Sequence, residues 1–156
     1  MGSNLDPVEL VLDLNGPFTW ADCGSISASG SRQPVKACSL KCSMAGPTKG
    51  CFTQRYNSSS CTLPAENTAS GASASGEVDE DEIAMEFWAG PGLSSSLARN
   101  ERFLFSCAPT SLLEGLADGS KGVFGLGNSR ISLPSQFSTS FGPPAVMWKI
   151  VNKSYL

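Results

Sequence analysis

VLDLNGPFTWADC, running from Val11 to Cys23, is the stretch from which the chain is best read. Apolar residues alternate with others over Val8–Asp13, which predicts a strand with one apolar face and one mixed face. That strand ends on an acid, Asp13. Leu14-Asn15-Gly16 supplies a tight turn, and Pro17 reinforces it. Phe18–Ala21 then reads as a second short strand. An acid set where a strand runs into a turn is built like the start of an active site, so Asp13 is the first candidate functional residue.

Outward from that stretch, composition bounds the class. A chain of 156 residues forms one domain, or one lobe of something larger, and is long enough to bury a core. With 40% hydrophobic and 16% charged residues it is globular rather than disordered. A net charge of -3, with no basic stripe and interleaved aromatics, argues against nucleic acid as a partner. No apolar run approaches the ~20 residues of a membrane helix. MGSNLDPVEL carries no apolar h-region, which leaves a cytosolic protein or one whose natural N-terminus lies upstream.

The cysteines favour the second expectation. There are six, Cys23, Cys38, Cys42, Cys51, Cys61 and Cys107. Four of them crowd into the Gly-, Ser-, Pro- and Thr-rich loop 38–61. Such a segment buries little apolar surface and gains from covalent staples. The spacing Cys-x3-Cys-x8-Cys-x9-Cys lacks paired Cys-x2-Cys knuckles, and the chain has no histidine, so disulfides are expected rather than zinc. Asn57 and Asn152 begin Asn-x-Ser sequons. Asn57 is the glycosylation candidate, because it sits in the polar loop.

Residues 24–76 read as mostly loop by composition. The acidic run Glu77–Glu82 lacks the glycine and ligand register of a calcium loop. It is expected to be a solvated strand edge, continuing into the alternation Ile83, Met85, Phe87. Phe103-Leu104-Phe105 begins another strand. Pro109–Leu116 is predicted as a short helix with Gly119 beyond its end. Gly122–Gly127 reads as a buried strand whose glycines admit close backbone. Ser132 or Leu133 is placed near the cap of a second helix, with Pro134 in its first turn. The sum is a mainly β domain with short helices.

Together, VLDLNGPFTWADC, the Cys-rich loop and FLFSCAPTSLLEGLADGSKGVFGLGNSRISLPSQF (Phe103–Phe137) resemble the N-terminal lobe of pepsin-like proteins. The likeness is to the plant branch of wheat-type xylanase inhibitors, the carrot extracellular dermal glycoprotein and the basic seed globulins of legumes. It covers roughly residues 8–142, giving a domain 1–142 and an unaligned tail 143–156. No second lobe is expected within the chain.

The resemblance implies that Asp13 is a remnant. Pepsin-like peptidases use one Asp-Thr-Gly loop per lobe, and the two acids share a proton and activate a water. Here Leu14 stands in place of the threonine and Asn15 in place of the glycine. Thr68–Glu77 matches the hairpin that overhangs the cleft, and it holds no tyrosine. Val123-Phe124-Gly125 matches the strand that passes behind the acid loop in a ψ-shaped motif, which sets Gly125 against the Asp13 turn. Cys23 and Cys107 are implied to bond each other, with the other four cysteines pairing locally in an open connectivity. The implied function is that of a secreted, cell-wall, catalytically inactive binding protein. Its partners would be microbial glycoside hydrolases such as xylanases or endoglucanases. No cofactor and no metal are implied. Two other readings stand beside it: an aspartic endopeptidase formed by pairing lobes in a homodimer, and a structural or storage-type relative.

Overall fold

In the computed structural model, which describes residues 1–2, 5–26, 29–46, 60–88 and 95–141, the first strand is shorter than its alternation suggests. It spans only Val11–Asp13 (β1), because its partner strand Gly122–Gly125 (β7) offers three rungs, Val11 to Val123, Leu12 to Phe124 and Asp13 to Gly125. The second strand is displaced to Trp20–Asp22 (β2), where it runs parallel to one neighbour and antiparallel to β7. Cys51, Asn57, Asn152 and the tail 143–156 lie outside the described residues.

The segment 24–76 is not mostly loop. It holds Gln33–Pro34 (β3), Leu40–Ala45 (α1), Thr62–Asn67 (β4) and the start of Ala72–Trp88 (β5). These elements are short and poor in large apolar residues, so tertiary ties rather than propensity hold them. The Ser39 side chain caps α1 by accepting from the Cys42 backbone N–H at 3.2 Å, and a disulfide joins Cys42 to Cys61 at the edge of β4. In β4, Leu63, Ala65 and Asn67 turn inward while Thr62, Pro64 and Glu66 face solvent. The small residues of early β5 have a packing reason: a Cβ on Gly76 would lie 2.5 Å from the Cys107 carbonyl oxygen.

Ser95–Ala108 (β6) completes a seven-stranded sheet ordered β1-β7-β2-β6-β5-β3, with β4 also paired to β5. Neighbouring residues on one strand face opposite sides. Trp20, Val78, Leu104 and Val123 enter one core. Ala21, Phe103, Phe105 and Ile83 enter the other, which Phe137 closes from the helix Leu133–Phe141 (α2). Ser132 immediately precedes α2 and accepts from the Gln136 backbone at 3.0 Å. The helix predicted over Pro109–Leu116 is a single 3-10 turn, Thr110–Leu113, and Gly115 at φ +84° follows it.

The acidic run is also a correction. β5 is an interior strand, paired to β6 along one side and to β4 and β3 along the other. Asp79 and Asp81 are 9% and 4% exposed. The charges are met from far along the chain. Ser29 and Ser31 hydroxyls donate to Asp81 at 2.7 and 2.5 Å, and the Arg32 Nε lies 3.6 Å from Asp79. Burial pushes the Asp79 carboxyl above its ordinary value; Arg32 pulls it down, while Glu77 and Asp81 add to the push.

Candidate functional site

Asp13 ends β1 in front of a crossing made by β7. Its carbonyl accepts from the Leu126 N–H at 2.8 Å and the Gly16 N–H at 3.3 Å, while Gly127 N–H donates to the Gly16 carbonyl at 2.9 Å. A Cβ on Gly125 would fall 2.4 Å from the Phe18 carbonyl oxygen and 2.6 Å from that of Gly16. Real Cβ atoms do not approach backbone oxygen so closely, so glycine is the residue that lets β7 pass behind the turn. Val123 and Phe124, on the same strand, point into the two cores. In front of the turn, Leu14 is 73% exposed.

The carboxylate of Asp13 faces a hairpin tip. Oδ1 accepts from the Asn15 backbone N–H at 2.9 Å. Oδ2 accepts from the Thr68 hydroxyl at 3.0 Å, across 55 residues of sequence. The tip is fixed from behind as well. Asn67, fully buried, donates from Nδ2 to the Leu112 and Glu114 carbonyls, both at 2.9 Å, and its Oδ1 accepts from Ala69 and Ser70 N–H. The Trp20 indole donates to the Glu66 carbonyl at 3.0 Å. Both oxygens of Asp13 thus serve as acceptors within the chain, and no second carboxylate among the described residues is hydrogen-bonded to it. Such a group can fasten a turn to a hairpin.

Covalent ties frame the turn. Cys23 bonds Cys107, closing a sequence separation of 84 and pinning the end of β2 to the end of β6. Cys38 is also disulfide-bonded. Beside Cys23, Asp22 is buried. Burial alone pushes its carboxyl up, but the Gly24 N–H, which donates to Oδ1 at 3.0 Å, and the polar groups of Thr110 and Ser25 beside it outweigh that and hold it below the ordinary carboxylate value. Cys23, Cys107 and Asp79 offer ligand-type atoms within 4.8 Å of one another, but the two sulfurs are spent on the disulfide.

Three residues here were not singled out by the sequence: Thr68, Asn67 and Asp22. Thr68 lies in a segment so rich in Ser, Thr and Ala that one hydroxyl has no prominence. Asn67 before a Thr-Ala-Ser-Gly turn was the available signal, since asparagine readily bonds its own following backbone.

An acid turn crossed from behind by a glycine-bearing strand, with a hairpin tip resting on the acid, makes this chain a pepsin-like N-terminal lobe. The chain belongs to the family described as xylanase inhibitor N-terminal, which matches residues 1–147. It is 43% identical over 148 residues to the "Probable aspartic proteinase GIP2" of Nicotiana benthamiana, covering 90% of this chain and 33% of that protein. It is 37% identical over 144 residues to gamma conglutin 1 of Lupinus albus, covering 86% and 31%. The crystal structure of EDGP superposes with a TM-score of 0.70 at 40% identity, covering 85% of this chain and 33% of that one. The chain therefore spans about a third of the length of these relatives. Its disulfides fit an oxidising, extracellular compartment.

Proposed function

We propose that this chain is a catalytically inactive pepsin-like lobe that acts as a secreted binding protein for microbial cell-wall glycoside hydrolases, xylanases or endoglucanases, in plant defence. The observation that supports the inactivity is the turn itself, where Leu14, 73% exposed, offers no hydroxyl to a facing loop and Asn15 stands in place of the glycine. The family description, xylanase inhibitor N-terminal, supports the partner class. A catalytically silent scaffold leaves its surface loops free for recognition. The test is capture of fungal and oomycete xylanases and endoglucanases by the oxidised chain, with residual hydrolase activity recorded. Binding with loss of activity supports the reading. A monomeric, cooperatively folded chain that binds none of them overturns it.

The name of the Nicotiana benthamiana relative favours a second reading, an aspartic endopeptidase assembled by pairing two lobes. Pepstatin-sensitive cleavage at acid pH, rising with the square of chain concentration and lost in Asp13→Ala, would establish it. Absence of such cleavage removes it.

A further inference from the structure

We propose that Asp79 gates the reduction of the Cys23–Cys107 disulfide by dithiols: as a carboxylate it shields the bond from thiolate attack, and as a carboxylic acid it hands its proton to the departing Cys107 sulfur. This chemistry is independent of hydrolase binding. The placement follows from sheet register. β5 and β6 run antiparallel with Glu77 opposite Cys107 and Asp79 opposite Phe105, so Asp79 sits diagonal to Cys107 on one face. Its Oδ2 lies 3.2 Å from the Cys107 sulfur. That sulfur is bonded to Cys23 and has no hydrogen to give. A hydrogen bond along this line therefore runs from a protonated Asp79 to sulfur.

A carboxylate as buried as Asp79 needs partners. The same Oδ2 meets the Arg32 Nε at 3.6 Å. Asp81, two residues along the same face, is better furnished: the Ser29 and Ser31 hydroxyls and the Glu82 N–H all donate to it. β3 sets Pro34 beside Asp79 and β6 sets Phe105 there, neither of which titrates. On β2, Asp22 turns with Trp20 to the other side of the sheet. The charged groups acting on Asp79 are thus Arg32, Glu77 and Asp81. Burial raises its carboxyl above the ordinary value, Arg32 opposes, and Glu77 and Asp81 add to the rise. Protonation therefore begins at a pH above the usual carboxylate range.

Cys23 and Cys107 are half-buried, and Gly24 and Ser25 beside Cys23 are exposed. A thiolate arriving there attacks the Cys23 sulfur in line with its bond to Cys107. The new sulfur–sulfur bond forms to Cys23 as the Cys23–Cys107 bond breaks, and the electron pair of the broken bond goes to Cys107. The Asp79 proton passes to Cys107, leaving a thiol and a carboxylate. The reagent's second thiolate then displaces Cys23, which takes a proton from solvent. The dithiol ends as a disulfide, and two electrons have passed to the chain. With Asp79 ionised, negative charge builds on Cys107 beside a carboxylate 3.2 Å away, which opposes departure. Reduction frees the end of β2 from the end of β6, so acidity and a dithiol together loosen the frame of the Asp13 turn.

The experiment reduces the folded chain with dithiothreitol from neutral pH down through the carboxylate range. Free thiols are trapped with a maleimide, and labelled Cys23 and Cys107 are quantified by mass spectrometry. Rates are divided by the thiolate concentration at each pH. Wild type should show a rise on the order of tenfold as Asp79 protonates. Asp79→Asn should react faster than wild type at neutral pH and show no rise. Arg32→Gln removes the cation that holds the proton off, so its rise should move to higher pH. Glu101→Gln, on β6 about 20 Å from Cys107, should match wild type. Urea unfolding checks each variant, and the position of the rise in Arg32→Gln is a readout that loosened packing does not move. A flat wild-type profile, a rise that survives Asp79→Asn, or a rise that stays in place in Arg32→Gln overturns the proposal.

Discussion

Gly125 and Leu14 lie on opposite sides of the same turn. Behind it, a Cβ on Gly125 would fall 2.4 Å from a carbonyl oxygen; in front, Leu14 is 73% exposed. The back of the acid loop is thus fixed by backbone packing that any pepsin-like lobe needs in order to fold. The front carries an apolar side chain and an acid hydrogen-bonded to a hairpin tip. The difference teaches that scaffold and chemistry make separate demands on one turn: at Gly125 backbone sterics admit a single residue type, while no such restraint acts on exposed Leu14.

If that division is right, changes at the back destabilise and changes at the front scarcely do. The largest effect is expected from Cys23→Ser/Cys107→Ser. A loop closed across a separation of 84 residues contributes about 4.6 kcal/mol in the chain-entropy account, read as a lower urea midpoint. Next comes Gly125→Ala, whose methyl must displace backbone; about 3 kcal/mol is expected, measured the same way.

Asp22→Asn at the back is expected to cost about 1–2 kcal/mol at neutral pH, through lost charge-assisted hydrogen bonds. The sign with pH follows from the lowered folded-state value. The stabilisation is complete above the ordinary carboxylate value and is lost as pH falls through the folded one, so wild type and variant should converge in acid. Urea midpoints taken across the acid range check this. In front, Thr68→Val removes one partly exposed hydrogen bond and is expected to cost about 1 kcal/mol or less in global stability. Leu14→Thr is expected to stay within about 0.5 kcal/mol of wild type in the same urea experiment.

What could be read from the sequence follows the same line. Gly125, Asn15-Gly16 and Pro17 announce themselves, because backbone demands admit few residue types and so leave a legible mark. Trp20, Phe103 and Phe105 mark the core for the same reason of scarcity. The elements within 24–76 are not legible in the sequence because α1 and β4 rest on the Cys42–Cys61 bond and on Gly76 packing, neither of which shows in local composition. The burial of Asp79 and Asp81 leaves no mark in the sequence, because acids are ordinarily solvated. What neutralises Asp81 lies 50 and 52 residues away, at Ser31 and Ser29, and pairing at that range has no local signature. The Thr68–Asp13 contact was illegible on the same ground.

The measurement that bears most directly on the reassignment of Asp13 is amide hydrogen exchange in the wild-type chain and in Asp13→Ala. If Asp13 fastens the hairpin, exchange should accelerate at Ala69, Ser70, Gly71 and Ala72 in the variant. The amides of Val123 and Phe124, behind the turn, should keep their protection. Unchanged exchange at the hairpin tip would contradict it, leaving Asp13 with no structural work in front of the turn.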